Sequence, residues 1–111
     1  MRFILFVCDD PTAEPYDPER DTIEEWVGGL VSTGRYVIGD RLRPADDART
    51  VMMRGEERVV QDGPFTSSAE TIAGFDVIDA DSLDDAVEIA AAHPMARFGR
   101  IEVRALWPFE G

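Results

Sequence analysis

The stretch that decides the fold is residues 2–8, Arg-Phe-Ile-Leu-Phe-Val-Cys, a nearly unbroken apolar run. In a β-strand, the side chains of Phe3, Leu5 and Val7 face one way and those of the even-numbered residues face the other way. Both sets are apolar, which is typical of a strand whose two faces are covered. We therefore expect a sheet that needs cover on both of its faces.

Capping residues mark two helices. The first begins with Asp17 as the N-cap and Pro18 at the first helical position, and Gly34 can close it in the left-handed conformation. The glycine pair at 28–29 weakens the middle of this helix, and close packing on the sheet is its simplest explanation. Ser82 caps the second helix.

Strand patterns fill most of the remaining chain. They cover residues 35–42, a hairpin at 50–61 that turns near Gly55, residues 74–80, and residues from about 100 to 107. The order strand, helix, strand, hairpin, helix, strand matches the βαββαβ plan of ferredoxin-like folds with an elaboration in the middle. We therefore predict an α+β domain spanning residues 1–111, with two helices over one face of an antiparallel sheet.

The second face of this sheet has no third long helix to cover it. Pairing of two sheets in a homodimer is the simplest solution. In a monomeric alternative, the loop at 11–16 and the C-terminal residues 107–109 fold over that face. We expect Trp26, Phe65, Phe75 and the methionine pair at 52–53 to lie in the core.

The composition excludes several classes of function. The formal net charge is −12 and the pI is near 4.3, so nucleic acids and anionic membrane surfaces are repelled. All eleven basic side chains other than the histidine are arginines, which excludes Schiff-base chemistry on lysine. The apolar run at 2–8 is too short for a membrane span or a signal peptide, so a cytoplasmic location is expected. The sequence implies no metal and no cofactor.

Three ordered stretches between residues 62 and 104 carry a family resemblance. They are Asp62-Gly63-Pro64-Phe65 followed by Glu70 and Gly74-Phe75; Asp81-Ser82-Leu83 with Ala86; and His93-Pro94 through Gly99 to Ile101-Glu102-Val103-Arg104. Together they resemble the YCII-related family, in its DGPF-bearing branch. The resemblance implies a dimeric ferredoxin-like α/β-barrel with a cleft in each protomer, where an aspartate and a histidine could do acid/base chemistry. The first helix lacks the histidine that YCII-type members carry there.

Asp62 and His93 are the candidate catalytic residues. Asp62 stands at a rigid Asp-Gly-Pro corner, where its carboxylate is a general base or forms an Asx-type turn with backbone N–H groups. His93 is the only histidine in the sequence, and imidazole is the side-chain group best suited to proton transfer near neutral pH, so His93 is an acid or an orienting group. Alternatively, it interacts with the negative end of the second helix. Ser67 and Ser68 have no evident base to activate them.

Glu102, Arg104 and Glu70 are the candidate substrate-binding residues. Glu102 and Arg104 lie two apart on the last strand and share one face of it. If that face lines a cleft, Arg104 can hold an anionic group and Glu102 can orient it; if it faces water, the pair contributes little. Two hypotheses follow: an enzyme that transfers protons on a small polar metabolite, and a non-catalytic dimeric module that binds a ligand or a partner protein.

Overall fold

The computed structural model describes residues 1–66 and 70–109; the expectation that Ser67 and Ser68 have no activating base lies outside the described residues. The regular elements in the described part are β1 (Arg2–Cys8), α1 (Ile23–Ser32), β2 (Tyr36–Arg41), β3 (Arg49–Arg54), β4 (Glu57–Asp62), β5 (Ile72–Asp79), α2 (Leu83–Ala91), α3 (Met95–Phe98) and β6 (Arg100–Ala105). None of the helices in these residues is long and apolar enough to cross a membrane.

Four strands form one antiparallel sheet in the order β2-β5-β1-β6. With the two helices that connect them, this is the strand order of a ferredoxin-like βαββαβ fold. The inserted strands β3 and β4 pair only with each other, in a separate two-stranded sheet. The structure therefore confirms the predicted α+β fold and its elaboration in the middle.

The core lies between the sheet and the two main helices. Phe3 and Leu5 of β1 are fully buried, and each contributes about 1.5–3 kcal/mol by leaving water. Trp26 of α1 is also buried, as expected, and its indole N–H donates to the backbone oxygen of Ile89 in α2 at 2.8 Å. This bond joins the two helices above β1. The expectation that Phe65 lies in the core is wrong: it follows the separate two-stranded sheet and is 80% exposed.

The opposite face of the sheet carries no helix. Its side chains include those of Ile4 and Phe6 on β1, which lie opposite Val77 and Phe75 on β5, and all four are half-buried. We call this surface the open face. The monomeric alternative is wrong, because Trp107 is 94% exposed and does not cover it.

The first helix begins later than predicted. Asp17 and Pro18 start a short 3-10 turn, in which the Asp17 carboxylate accepts from the Glu19 N–H at 3.0 Å. The α-helix starts at Ile23, whose N–H donates to the Asp21 carboxylate at 3.1 Å. The N-cap of α1 is Thr22, which makes no side-chain capping bond, so the carboxylate of Asp21, one residue earlier, satisfies one of the free N–H groups of the first turn.

The packing explanation for Gly28 and Gly29 is wrong. A Cβ added to either residue would meet no atom within 4 Å. Gly34 also has free space around it, but its φ is +72°, which confirms the predicted left-handed closure. The pair at 28–29 therefore costs helix stability without a compensating contact.

We expect that replacing both Gly28 and Gly29 with alanine raises the free energy of unfolding by about 1 kcal/mol per site, because alanine has the higher helix propensity. Gly34→Ala is the matched control. It has the same open space but a positive φ, so it should be destabilising. Urea unfolding followed by circular dichroism measures all three, and no gain in the double variant would contradict the prediction.

Candidate active site

A cleft of about 580 Å³ opens on the helical side of the sheet. Its polar lining includes the side chains of Asp76, His93 and Tyr36, and apolar side chains of α1 form another part of its wall. We call it the Asp76 cleft. The residues that line it come from β1, β2 and β5, from α1, from the segment at 93–95 and from the loop that precedes α1.

Asp76 is a charged residue in an otherwise apolar layer. It lies opposite Leu5 in the sheet, on the face that the helices cover, and is only 8% exposed. One carboxylate oxygen, Oδ1, accepts from the Tyr36 hydroxyl at 2.8 Å. The other, Oδ2, lies 3.3 Å from His93 Nε2. A carboxylate buried this deeply needs such partners, because an unpaired charge in an apolar layer is very costly.

His93 is held in one orientation. It follows the end of α2, is 5% exposed, and packs its ring against Trp26 with the centroids 4.5 Å apart. Its Nδ1 accepts from the backbone N–H of Met95 at 3.0 Å. In a neutral imidazole the proton is therefore on Nε2, the nitrogen that faces Asp76. The two ring nitrogens therefore contact Asp76 and the Met95 backbone.

Tyr36 completes the polar network beneath the cleft. Burial and the hydrogen bond to Asp76 raise the pKa of the Tyr36 hydroxyl well above its usual range. A Cβ on Gly39 would overlap both the Tyr36 hydroxyl and Asp76 Oδ1. Only glycine at this position leaves room for the bond between them. We call Asp76, His93 and Tyr36 the Asp76 network.

The structure does not bring Asp62 into this site. Asp62 ends β4 in the separate two-stranded sheet, where its side chain is 89% exposed and pairs with Arg49 Nε at 3.1 Å. Its neighbour Gly63 makes the turn with a φ of +93°. Glu70 lies 3.4 Å from Arg100 Nη2 and lines a second cavity of about 430 Å³ beside residues 64–66. Glu70 and His93 therefore line different cavities, and Asp62 lines neither of them.

Glu102 and Arg104 share one face of β6, as predicted, and that face belongs to the open face of the sheet. They lie opposite Phe6 and Ile4, and their charged groups are 3.8 Å apart with both side chains largely exposed. The Asp76 cleft is on the other side of the sheet. These two residues and His93 do not line a common cavity.

Sequence reasoning missed Asp76 and Tyr36. A signal for Asp76 was available, because it alternates with Ile78 and Ala80 along the predicted strand and so falls on the buried side. An ionisable residue at such a position is rarely there for packing alone. Tyr36 carries no comparable signal, since an aromatic residue at the start of a strand is ordinary.

We expect Asp76→Asn to lower the pKa of the Tyr36 hydroxyl, because the variant removes a negative charge that disfavours tyrosinate. In the parent protein the folded pKa of Tyr36 exceeds its unfolded value. Its contribution to stability is thus complete below about pH 10 and is lost as the pH rises further. Tyrosine ring NMR across an alkaline titration measures this; Tyr16, which bonds Asp21, is the internal control. An unshifted Tyr36 titration in the variant would contradict the prediction.

Comparisons with known proteins agree with the predicted resemblance at the level of the family. The family described as "YCII-related domain" matches residues 1–110. An uncharacterised protein of Rhizobium meliloti (strain 1021) is 40% identical over 80 residues, which are 68% of this chain and 63% of that protein. The matched region thus spans less than two thirds of that relative's length. Membership of the DGPF branch stays a prediction.

Among solved structures, 5-chloro-2-hydroxyhydroquinone dehydrochlorinase (TftG) from Burkholderia phenoliruptrix AC1100, in complex with 2,5-dihydroxybenzoquinone, aligns with a TM-score of 0.43. The sequences are 13% identical, and the alignment covers 96% of this chain and 94% of that chain. A likeness at this level carries no weight for the site. The match over nearly the whole chain identifies the family: the chain belongs to the YCII-related family.

Proposed function

We propose that the Asp76 cleft binds a small polar metabolite and that Asp76 accepts a proton from it. The observation that supports this most strongly is the position of the Asp76 carboxylate. It is buried beneath a cleft large enough for a metabolite, and two side chains hold it in place. A perturbed environment of this kind in a cleft is where catalytic acids and bases are found.

The proposed mechanism assigns one role to each residue. Asp76 takes the proton, because each of its oxygens has a lone pair beyond the one directed at Tyr36 or His93. Tyr36 and His93 are positioning residues that fix the carboxylate through the hydroxyl and Nε2. Holding the base in place before the substrate arrives lowers the entropic part of the barrier. Of the two roles predicted for His93, acid or orienting group, the proposed mechanism uses the orienting role.

The catalytic role of Asp62 stays a prediction. It is paired with Arg49, and it lines neither the Asp76 cleft nor the cavity beside residues 64–66. We assign the base to Asp76 for this reason. The roles predicted for Glu102, Arg104 and Glu70 in substrate binding also stay predictions.

Arg41 is our candidate for the cation that holds an anionic group of the substrate. It lines the Asp76 cleft, and its guanidinium has no side-chain partner among residues 1–66 and 70–109. Asp21, an acid on the same cleft, is engaged by the Tyr16 hydroxyl and the Ile23 N–H. The Arg41 cation and the buried base thus border one space, as a substrate with one anionic end requires.

A non-catalytic ligand-binding module is the second candidate. The favouring observation is that no buried side-chain nitrogen or oxygen in the described residues lacks a hydrogen-bond partner. A network that is complete without a ligand can serve to hold β2, β5 and the end of α2 together. In that case the cleft binds a molecule without changing it.

Hydrogen–deuterium exchange into metabolites separates the two candidates and requires no identified substrate. The protein is incubated in D₂O with a cell extract of small molecules, and mass spectrometry detects deuterium at carbon. We expect the parent protein to label at least one metabolite and Asp76→Asn to slow that labelling by about 100-fold or more, as loss of a general base does. Equal labelling by both proteins, or none by either, would sink the proposed acid/base role.

The matched control is His93→Gln, whose amide N–H can replace the Nε2 donor toward Asp76. We expect it to retain more of the exchange activity than His93→Ala, with the same metabolite labelled. If His93→Gln is as inactive as Asp76→Asn and remains folded by circular dichroism, then His93 moves the proton itself and is more than a positioning residue. The binding module is favoured if a small molecule stays bound to the purified Asp76→Asn protein and if all variants give the same deuterium labelling as the parent protein.

We also propose that the protein works as a homodimer paired through the open face. The supporting observation is the row of half-buried apolar side chains on that face, with Ile38 at its edge 57% exposed. Sheets usually pack such a surface against a second layer. The small polar substrate and a cytoplasmic location also belong to the proposed function.

A further inference from the structure

The hairpin formed by β3 and β4, residues 49–62, extends from the domain as an arm. Its base is closed by the Gly63 N–H, which donates to the Ala48 oxygen at 2.8 Å, and by the Thr50 hydroxyl, which donates to the Gly63 oxygen at 3.0 Å. The chain has a radius of gyration of 16.1 Å, against about 13 Å for a compact chain of this length. We call residues 49–62 the arm.

One face of the arm, which we call its apolar face, carries three exposed apolar side chains flanked by charged ones. Val51 lies directly opposite Val60, and Met53 follows on the same face opposite Arg58, while the Arg49–Asp62 pair stands at the base of the arm. Val51, Val60 and Met53 are 61%, 50% and 56% exposed, so the expectation that the methionine pair lies in the core is wrong for Met53. An isolated two-stranded hairpin is marginally stable in water, which indicates that this face packs on another surface.

The open face of the sheet is a second apolar surface without cover. Phe6 and Phe75 lie side by side at its centre, and Ile38 is exposed at the edge. The same chain thus presents two uncovered apolar surfaces. A stable interface needs about 800 Å² and 20–30 residues from each partner, which is more than one face of the arm supplies with its two strands of six residues each. The arm therefore needs a larger surface beside it, and the open face is of that kind.

The charges of these two surfaces also point to a second copy. The arm has three arginines (Arg49, Arg54, Arg58) and three acids (Glu56, Glu57, Asp62), so its net charge is zero. On the open face, Arg2, Arg100 and Arg104 are balanced by Asp40, Asp79 and Glu102. The formal charge of −12 is therefore carried by the rest of the chain. Two such chains repel one another least when these neutral surfaces meet.

We propose that the arm packs the face formed by Val51, Met53 and Val60 on a second copy of this chain, and that the arm and the open face together form one self-complementary interface. A two-fold axis lets each chain give its arm to the other and receive one in return. This inference rests on the homodimer of the proposed function and goes beyond it in the role of the arm, a surface that neither the Asp76 cleft nor the open face includes.

The test compares single aspartate substitutions that add the same charge in different places. Met53→Asp lies on the apolar face of the arm, Ile38→Asp lies on the open face, and Gln61→Asp lies on the other face of the arm as the matched control. We expect the first two to raise the dimer dissociation constant by about tenfold or more, and the control to change it by less than about threefold. Sedimentation equilibrium measures the constants, and circular dichroism checks the fold of each variant.

An armless variant gives an independent result. Because Ala48 and Gly63 are hydrogen-bonded neighbours, residues 49–62 can be replaced by an Asn-Gly turn without stretching the chain. We expect this variant to remain folded and to dimerise more weakly than the parent. If the armless variant dimerises as tightly as the parent while Ile38→Asp does not dimerise, the proposed role of the arm is overturned and the dimer through the open face stands. A parent protein that stays monomeric at about 100 μM, far above the dissociation constants of stable dimers, would overturn the whole interface.

The salt dependence has a definite sign. Because each chain carries −12 and the proposed surfaces are neutral, salt mainly screens the repulsion between the two acidic bodies. Raising NaCl from about 50 mM to about 500 mM should therefore strengthen the dimer of the parent protein. A dimer that dissociates over this range is held by ion pairs, which would contradict the neutral apolar interface.

Discussion

The burial of Phe3 and Leu5 beneath the two helices is the interaction on which the rest of the structure depends. It places β1 in the interior of the sheet, hydrogen-bonded to β5 on one edge and to β6 on the other. The pairing registers then decide which face every neighbouring residue occupies, because a shift by one residue would turn each side chain over. Asp76 is under the helices for this reason: it lies opposite Leu5.

Helices on only one face of the sheet give the molecule two different sides. Where α1 and the end of α2 do not fill the space above the sheet, the Asp76 cleft remains. The other side has no layer of its own and keeps its aromatic residues half-exposed. Our proposals therefore place the chemistry on the helical side of the sheet and the dimer interface on the open face. Arg104 lies on the open face, so it is near the proposed interface and remote from the Asp76 cleft.

The Asp76 network shows how a charged side chain is accommodated in an apolar layer. The Tyr36 hydroxyl and His93 Nε2 approach separate carboxylate oxygens, and the Met95 N–H fixes the far side of the imidazole. Gly39 leaves the space in which two of these groups meet. Such a network is stable only when every member is satisfied, so a change at any one of its positions disturbs the others.

The sequence by itself determined the order of strands and helices, the hairpin turn, the closure of α1 at Gly34 and the capping of α2 by Ser82, because each depends on residues close together in the chain. It also singled out His93. Only the tertiary structure decided that His93 faces Asp76 while Asp62 is remote from both, and that the arm extends away from the core. These outcomes depend on strand register and on the placement of the helices, which bring together residues that are far apart in sequence. Local periodicity shows which face of a strand or helix a residue occupies, but it does not show which distant residue lies next to it.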